Sequence, residues 1–315
     1  MSTVTVREAT PAVAEDRPTI GRRFHDWFRS PWRKPRFLAA FTALYLLWAL
    51  LPVALAVLFS FNAGRSRSTW QGFSFRWYWG DPDLSVFHDE TMRGALTQSL
   101  KLATLTMLIG VPLGVLFAIG INRWRSRGAG TSNFVMLFSF VTPEIIMGVS
   151  LFLVFTKLFT LVHLGTGAQL LGLITFEIAY PVIIVGARML SIGREYEEAA
   201  MDLGASPTKA VRLVLFPLLL PAILASFMIV FADSIDDFII VRYLSLGAST
   251  ETIPIRIYST ARGAPTPALN ALASLMLFST LIAVGIAFVI YRVLTRGERG
   301  TGGSGGAFQD FAGQI

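Results

Sequence analysis

Acidic residues inside or at the ends of apolar stretches are the side chains of this sequence that could do chemistry. Five carboxylates share this placement: Glu144, Glu177, Asp233, Asp236 and Asp237. Charges inside a bilayer are costly and therefore usually face a pathway or a partner. With one arginine close by in the sequence, these residues predict an acidic lining suited to a cation. For each residue alone, a role as a helix cap or as the partner of an arginine on another subunit stays open.

A polar segment between two long apolar runs carries a second pattern. Glu-Ala-Ala is followed after three residues by Gly, and after nine more by apolar-x-apolar-Pro. We predict a short helix within about residues 193–212, broken by Gly204 and Pro207 and too polar to cross a bilayer. It is typical of a docking site for a soluble partner on the membrane surface; an ordinary surface helix is the alternative. The residues predicted to serve docking are Glu198, Ala199, Ala200, Asp202, Gly204 and Pro217.

The composition indicates what positions these residues. Hydrophobic residues make up 53% of the 315 and charged residues 15%, with a mean hydropathy of +0.59, which is far from a soluble domain. Six apolar runs are long enough to cross the hydrocarbon core: Phe37–Phe61, Ala95–Ile121, Phe134–Phe155, Leu170–Leu190, Leu213–Phe231 and Leu269–Leu294. Strand alternation is absent from the sequence, so we expect helices.

The distribution of arginines predicts the orientation. Basic residues cluster before the first run, after the second and after the last: Arg22, Arg23, Arg29, Arg33, Lys34, Arg36, Arg123, Arg125, Arg127, Arg292, Arg296 and Arg299. By the positive-inside rule, both termini and the Glu198 segment are predicted to be cytoplasmic in a multi-pass protein of the cytoplasmic membrane. The net charge of +7 is then explained by the basic residues on the cytoplasmic side of the membrane, and a nucleic-acid partner is not expected.

The sequence lacks the residues that ATP hydrolysis or metal binding would need. There is no Gly-x-x-x-x-Gly-Lys-Ser/Thr, so we do not expect the chain to hydrolyse ATP. The chain has no cysteine, and His25, His88 and His163 are far apart. No metal site is predicted, because metal sites need several converging ligands.

The Glu-Ala-Ala segment, with Val214-Leu215-Phe216-Pro217, resembles the signature loop of binding-protein-dependent ABC importer permeases. Further stretches across residues 37–295 resemble the second permease subunit of spermidine/putrescine importers: Thr142–Met147, Ile174–Phe176, Asp236–Phe238, Ile253–Ser259 and Asn270–Ala273. The chain departs from that pattern at Ser245–Thr250, where a Gly-Pro-Gly turn is frequent, and at Glu177, where we expect a neutral residue.

The resemblance implies an all-α type I importer permease with six transmembrane helices. It implies a second permease subunit, two cytoplasmic ATPase subunits and an extracytoplasmic solute-binding protein as partners, besides membrane lipid. ATP and Mg²⁺ would be bound by the ATPases, with no cofactor on this chain. The Glu198 segment would be the coupling helix, and Tyr258 would join the five carboxylates along the substrate pathway.

The predicted organisation is a cytoplasmic tail at residues 1–36 with an interfacial helix over Ile20–Trp32, a permease domain at 37–295, and a flexible tail at 296–315. The predicted solute is a small cation, such as spermidine or putrescine. Another small organic solute stays open, as does a self-sufficient secondary transporter or channel, although no internal repeat is detectable. An integral membrane enzyme lacks an acid-base or metal constellation.

Overall fold

The computed structural model describes residues 36–66, 68–123, 140–263 and 266–296, and the single positions 134 and 138. The predicted interfacial helix, nearly all of the N-terminal tail and the tail beyond residue 296 lie outside the described residues. The chain divides into two units, Met1–Val53 and Ala54–Ile315. The second unit contains all the candidate functional residues.

The described residues are almost entirely helical. The α-helices, numbered along the chain, are α1 Arg36–Ser60, α2 Glu90–Arg123, α3 Glu144–Leu153, α4 Thr166–Glu177, α5 Ala179–Ile192, α6 Glu195–Asp202, α7 Pro207–Ala210, α8 Phe216–Asp236, α9 Ile239–Tyr243, α10 Ile253–Arg262 and α11 Ala268–Arg296. Shorter π or 3₁₀ segments are Arg76–Gly80, Val154–Leu158, Val211–Leu215 and Ala248–Thr250. Strand-like pairing within these residues is limited to one bridge between Asn62 and Phe73.

Five helical stretches in the described part of the chain are long and apolar enough to span a bilayer: Phe37–Ser60, Glu90–Arg123, Thr166–Ile192, Pro207–Asp236 and Ala268–Leu294. They match five of the six predicted apolar runs, and the prediction of an all-α membrane protein is confirmed. The remaining predicted span, Phe134–Phe155, is not one continuous helix. It is interrupted at Thr142 and Pro143, and α3 begins at Glu144. Proline disfavours helical backbone in the residue before it and has no amide hydrogen for the helix ladder.

Helices α2, α5 and α8 pack around the largest apolar core of the described residues. Its fully buried members include Val111, Val185, Leu215 and Leu219. Gly114 lets α2 approach α5 closely, since a Cβ atom there would lie 2.4 Å from the Pro181 side chain. A small residue at such a contact is typical of helix packing in membranes. This core fixes α5 and α8, which flank the Glu198 segment, and α8 ends at Asp236.

Candidate functional site

An acidic pocket forms where several helices end or begin. Its cavity of about 340 Å³ is lined by Glu144, Asp233, Asp236, Asp237, Phe238 and Ile239. Helix α3 starts at Glu144 because Pro143 precedes it, α8 ends at Asp236, and α9 starts at Ile239. The helix breaks therefore bring together carboxylates that lie up to 93 residues apart in the sequence, from 144 to 237.

The two adjacent aspartates have different environments. Asp236 is exposed, as is Asp233 one turn earlier on α8. Asp237 is buried, and its Oδ1 accepts a 3.0 Å hydrogen bond from the backbone amide of Val241. Its backbone (φ −58°, ψ 125°) has left the helix, which allows both carboxylates to line one cavity. The geometry thus gives Asp237 a backbone partner and leaves the Asp236 carboxylate available to a solute.

Glu177 lies beside this pocket as the last residue of α4. Its side chain is fully buried, and neither carboxylate oxygen has a hydrogen-bond partner. The charged groups that interact with it most strongly are also acidic, Asp233 and Asp237. Burial of an unpaired charge is strongly unfavourable, so this carboxyl group is set to receive a positive or hydrogen-bonding partner.

No ion pair among the described residues neutralises the pocket. The pairs present are Arg76–Asp81, Arg123–Glu197 and Arg256–Glu251. Tyr258 does not line the cavity, but its ring lies 4.9 Å from that of Phe238, which does. No group of three or more His, Asp or Glu side chains in the described residues is arranged to hold a metal ion. The acidic lining suits a positively charged group.

A network of buried amide side chains, Gln98 and Gln169, holds the segment that follows the acidic pocket. Gln169 Nε2 donates to the carbonyl oxygens of Val241 at 3.0 Å and Thr250 at 2.9 Å. Its Oε1 accepts a 2.8 Å hydrogen bond from Gln98 Nε2. The network ties α2 and α4 to the segment that follows Asp237. Neither glutamine was selected from the sequence, although a buried amide within an apolar helix is a signal for a cross-helix hydrogen bond.

The Glu198 segment forms a separate site, which we call the docking loop (residues 193–217). Helix α6 exposes Glu198, Ala199 and Asp202, while Ala200 is half-buried. Gly204 follows with φ +90° and no atom within 4 Å of a Cβ built on it. That backbone favours glycine, because L-residues with a Cβ are strained there. Pro217 is exposed in the first turn of α8, so the loop ends where that long apolar helix begins.

The neighbouring Glu197, which we did not select from the sequence, anchors the docking loop. Its carboxylate pairs with Arg123 at the end of α2, with Nη2 to Oε1 at 2.6 Å. The same Nη2 donates to the carbonyl of Gly193 at 3.0 Å, and Arg194 donates to the carbonyl of Asn122 at 2.7 Å. The structure therefore separates a buried anchor, Glu197, from an exposed face beginning at Glu198.

The sequence matches the family described as "Binding-protein-dependent transport system inner membrane component" over residues 110–300, more than half of the chain. The chain belongs to this family. The resemblance inferred from the docking loop is thereby confirmed, and the chain is a multi-pass ABC importer permease, a transport subunit.

Named relatives of the permease cover nearly its whole length. It is 33% identical over 277 residues to the putrescine transport system permease protein PotI of Escherichia coli K12, covering 86% of this chain and 93% of PotI. It is 31% identical over 259 residues to the spermidine/putrescine transport system permease protein PotC of Haemophilus influenzae, covering 82% of this chain and 98% of PotC. The sequence resemblance to polyamine-type permeases is thus also confirmed.

Solved ABC importers share the permease fold. A bacterial transporter that imports the acidic polysaccharide alginate aligns with a TM-score of 0.62 at 17% identity, covering 88% of this chain and 98% of that chain. The same kind of transporter in complex with an alginate pentasaccharide-bound periplasmic protein gives 0.67 at 18% identity, covering 87% and 97%. At this identity the likeness concerns the fold alone.

Proposed function

We propose that this permease carries a small organic cation, a diamine or polyamine such as putrescine or spermidine, across the cytoplasmic membrane. The observation that carries the proposal is the acidic pocket. Four carboxylates line it, and none of them forms an ion pair with a described residue. Phe238 and Ile239 add an apolar wall, which suits the methylene chain between two ammonium groups.

The names of the relatives support the same solute class, since PotI and PotC are named for putrescine and for spermidine and putrescine. The fold does not select the charge of the solute, because the alginate importer, which has the same fold, takes an acidic substrate. The selection must therefore come from side chains. An acidic wall attracts a cation and repels an anion, and more strongly in a low-dielectric site than in water.

The proposed assembly follows from the family. This chain would pair with a second permease subunit, two cytoplasmic ATPase subunits that bind ATP and Mg²⁺, and an extracytoplasmic solute-binding protein. Lipid would surround the apolar helices. Both termini and the docking loop would be cytoplasmic, which the basic clusters support. No cofactor is assigned to this chain.

In this assembly the docking loop would transmit the motion of the ATPases to the membrane helices. The exposed face with Glu198, Ala199 and Asp202 would contact the ATPase, while Gly204 shapes the turn behind it. Helix α7 and Val211–Leu215 connect that turn to α8, which has Pro217 in its first turn and carries Asp233 and Asp236 at its other end. A movement of α8 would then expose the acidic pocket to alternate sides of the membrane.

The test is solute-stimulated ATP hydrolysis and uptake by the full importer reconstituted in liposomes. Putrescine or spermidine should stimulate both activities, whereas sulfate, phosphate or a neutral sugar should not. The change Asp236→Asn should raise the half-saturating concentration of the cation by about tenfold to a hundredfold, the value of a hydrogen bond to a charged group.

The change Asp237→Asn provides the comparison, because this carboxylate holds the amide of Val241. It should lower the amount of folded protein more than Asp236→Asn does. Stimulation by an anion or a neutral sugar alone would refute the proposed solute class. Parental uptake by both variants over a full concentration series would remove the pocket from the pathway.

A further inference from the structure

Glu177 is the deepest carboxyl group of the acidic cluster. The described carboxyl groups form a gradient of burial, from the exposed Asp233 and Asp236 through the buried Asp237 to Glu177, which has no accessible surface. Glu177 also ends α4, where the chain turns at Ile178 before α5 begins. The cluster therefore presents negative charge at two depths rather than in one plane.

The inner end of this cluster has unused hydrogen-bonding capacity. Both oxygens of Glu177 and the hydroxyl of Ser234 are buried without a hydrogen-bond partner. The Ser234 and Glu177 side chains lie close enough to interact, although not in the geometry of a hydrogen bond, and Asp233 is a further neighbour of Glu177. An ammonium group has three donors, which matches three neighbouring oxygens. Buried polar atoms in native proteins are almost always satisfied, so these three oxygens are available to a donor such as an ammonium group.

No cation among the described residues forms an ion pair with Glu177. The arginines that form ion pairs in the described residues bind Asp81, Glu197 and Glu251 instead. Arg242, the base nearest to the cluster in sequence, is exposed on α9. A positively charged group of a solute would stabilise this carboxylate, since an unpaired buried carboxylate is costly.

We infer that Glu177 is the inner carboxylate of a two-ended site, in which it binds the second ammonium group of a linear organic dication. The first ammonium group lies against Asp236 at the open side of the pocket. The methylene chain between them packs along Phe238 and Ile239. This inference rests on the proposed function, and it makes Glu177 a residue that selects dications over monoamines.

The test compares putrescine with n-butylamine, which has the same carbon chain and one ammonium group. Thermal stabilisation of the purified full importer, without its binding protein, is measured over a concentration series of each amine. In the parent, putrescine should act at a much lower concentration than n-butylamine. Glu177→Gln should weaken the response to putrescine by about tenfold to a hundredfold and leave that to n-butylamine within about twofold.

Two variants serve as controls. Glu177→Asp keeps the charge and should keep most of the preference for putrescine. Asp83→Asn removes an exposed carboxylate distant in sequence from the cluster and should behave like the parent. Equal losses for both amines in Glu177→Gln, or no loss for either, would overturn the inference. A parent that responds to neither amine would instead contradict the proposed function.

A length series on the unaltered importer provides a second measurement if Glu177→Gln does not fold. A two-ended site requires one spacing between ammonium groups, so α,ω-diamines of increasing length should show an optimum. Affinity that rises steadily with chain length, or that matches the monoamine at every length, would overturn the inference.

Discussion

The anchor of the docking loop makes a sharp prediction, because adjacent glutamates have opposite environments. Glu197 is buried against Arg123, whereas Glu198 is exposed and forms no ion pair in the described residues. Glu197→Gln removes the charge while keeping the size of the side chain. We expect α6 to detach from the end of α2 more often, with no change in the membrane helices.

The size of the effect follows from the contacts. The carboxylate accepts hydrogen bonds from Arg123 Nε at 2.8 and 3.1 Å, in addition to the 2.6 Å contact with Nη2. Breaking a buried ion pair costs about 3–5 kcal/mol, and the remaining carbonyl of glutamine recovers part of it. The expected net loss of about 2–3 kcal/mol corresponds to an equilibrium constant for the opening of α6 that is about 30-fold to 150-fold larger.

Hydrogen exchange of the amides in residues 195–202, measured by mass spectrometry on the purified protein, tests this prediction. Protection should fall in Glu197→Gln and stay parental in the matched variant Glu198→Gln. Equal protection in the two variants would show that the Arg123 pair does not hold the loop. Loss of protection throughout α2 and α8 would show that the pair stabilises the whole fold instead.

Three further changes test other parts of the molecule. Gly204→Leu should reduce uptake at normal expression, because a side chain at φ +90° costs about 1–2 kcal/mol and blocks the docking face. The control Gly94→Leu lies at an equally open helical position and should transport normally. Parental uptake by Gly204→Leu would contradict a role of Gly204 in coupling. Gln169→Leu should lower the free energy of unfolding by about 2–6 kcal/mol, because two buried carbonyl groups lose their donor. An unchanged melting temperature would show that these hydrogen bonds do not stabilise the fold. The hydrogen bonds from Arg76 hold the pKa of Asp81 below its usual range, so its stabilisation is present at neutral pH and is lost as the pH falls through the lowered pKa. Acidification should therefore lower the melting temperature of the parent more than that of Asp81→Asn, and parallel curves would refute this.

The positions of most membrane helices could be predicted from the sequence, because such helices are recognised by their local composition. A run of about 20 apolar residues has few alternatives to a helix in a bilayer, and α2, α8 and α11 appear where the runs predict them. The docking loop could also be predicted from the sequence, since its glycine, alanines and proline lie within one short stretch. Pro143 was visible too, and it interrupts the third run through a local effect on the backbone.

Only the tertiary structure decided how the polar residues are used. Glu197 and Glu198 are the same residue type one position apart, and the sequence pattern drew attention to Glu198. The anchor emerged only when α2 placed Arg123 beside Glu197. Likewise, the sequence does not say which of Asp236 and Asp237 is exposed. The end of α8 between them leaves Asp236 exposed and lets Asp237 accept a hydrogen bond from the amide of Val241. Composition and periodicity are local and fix which segments become helices, whereas pairing and burial depend on contacts between residues tens of positions apart.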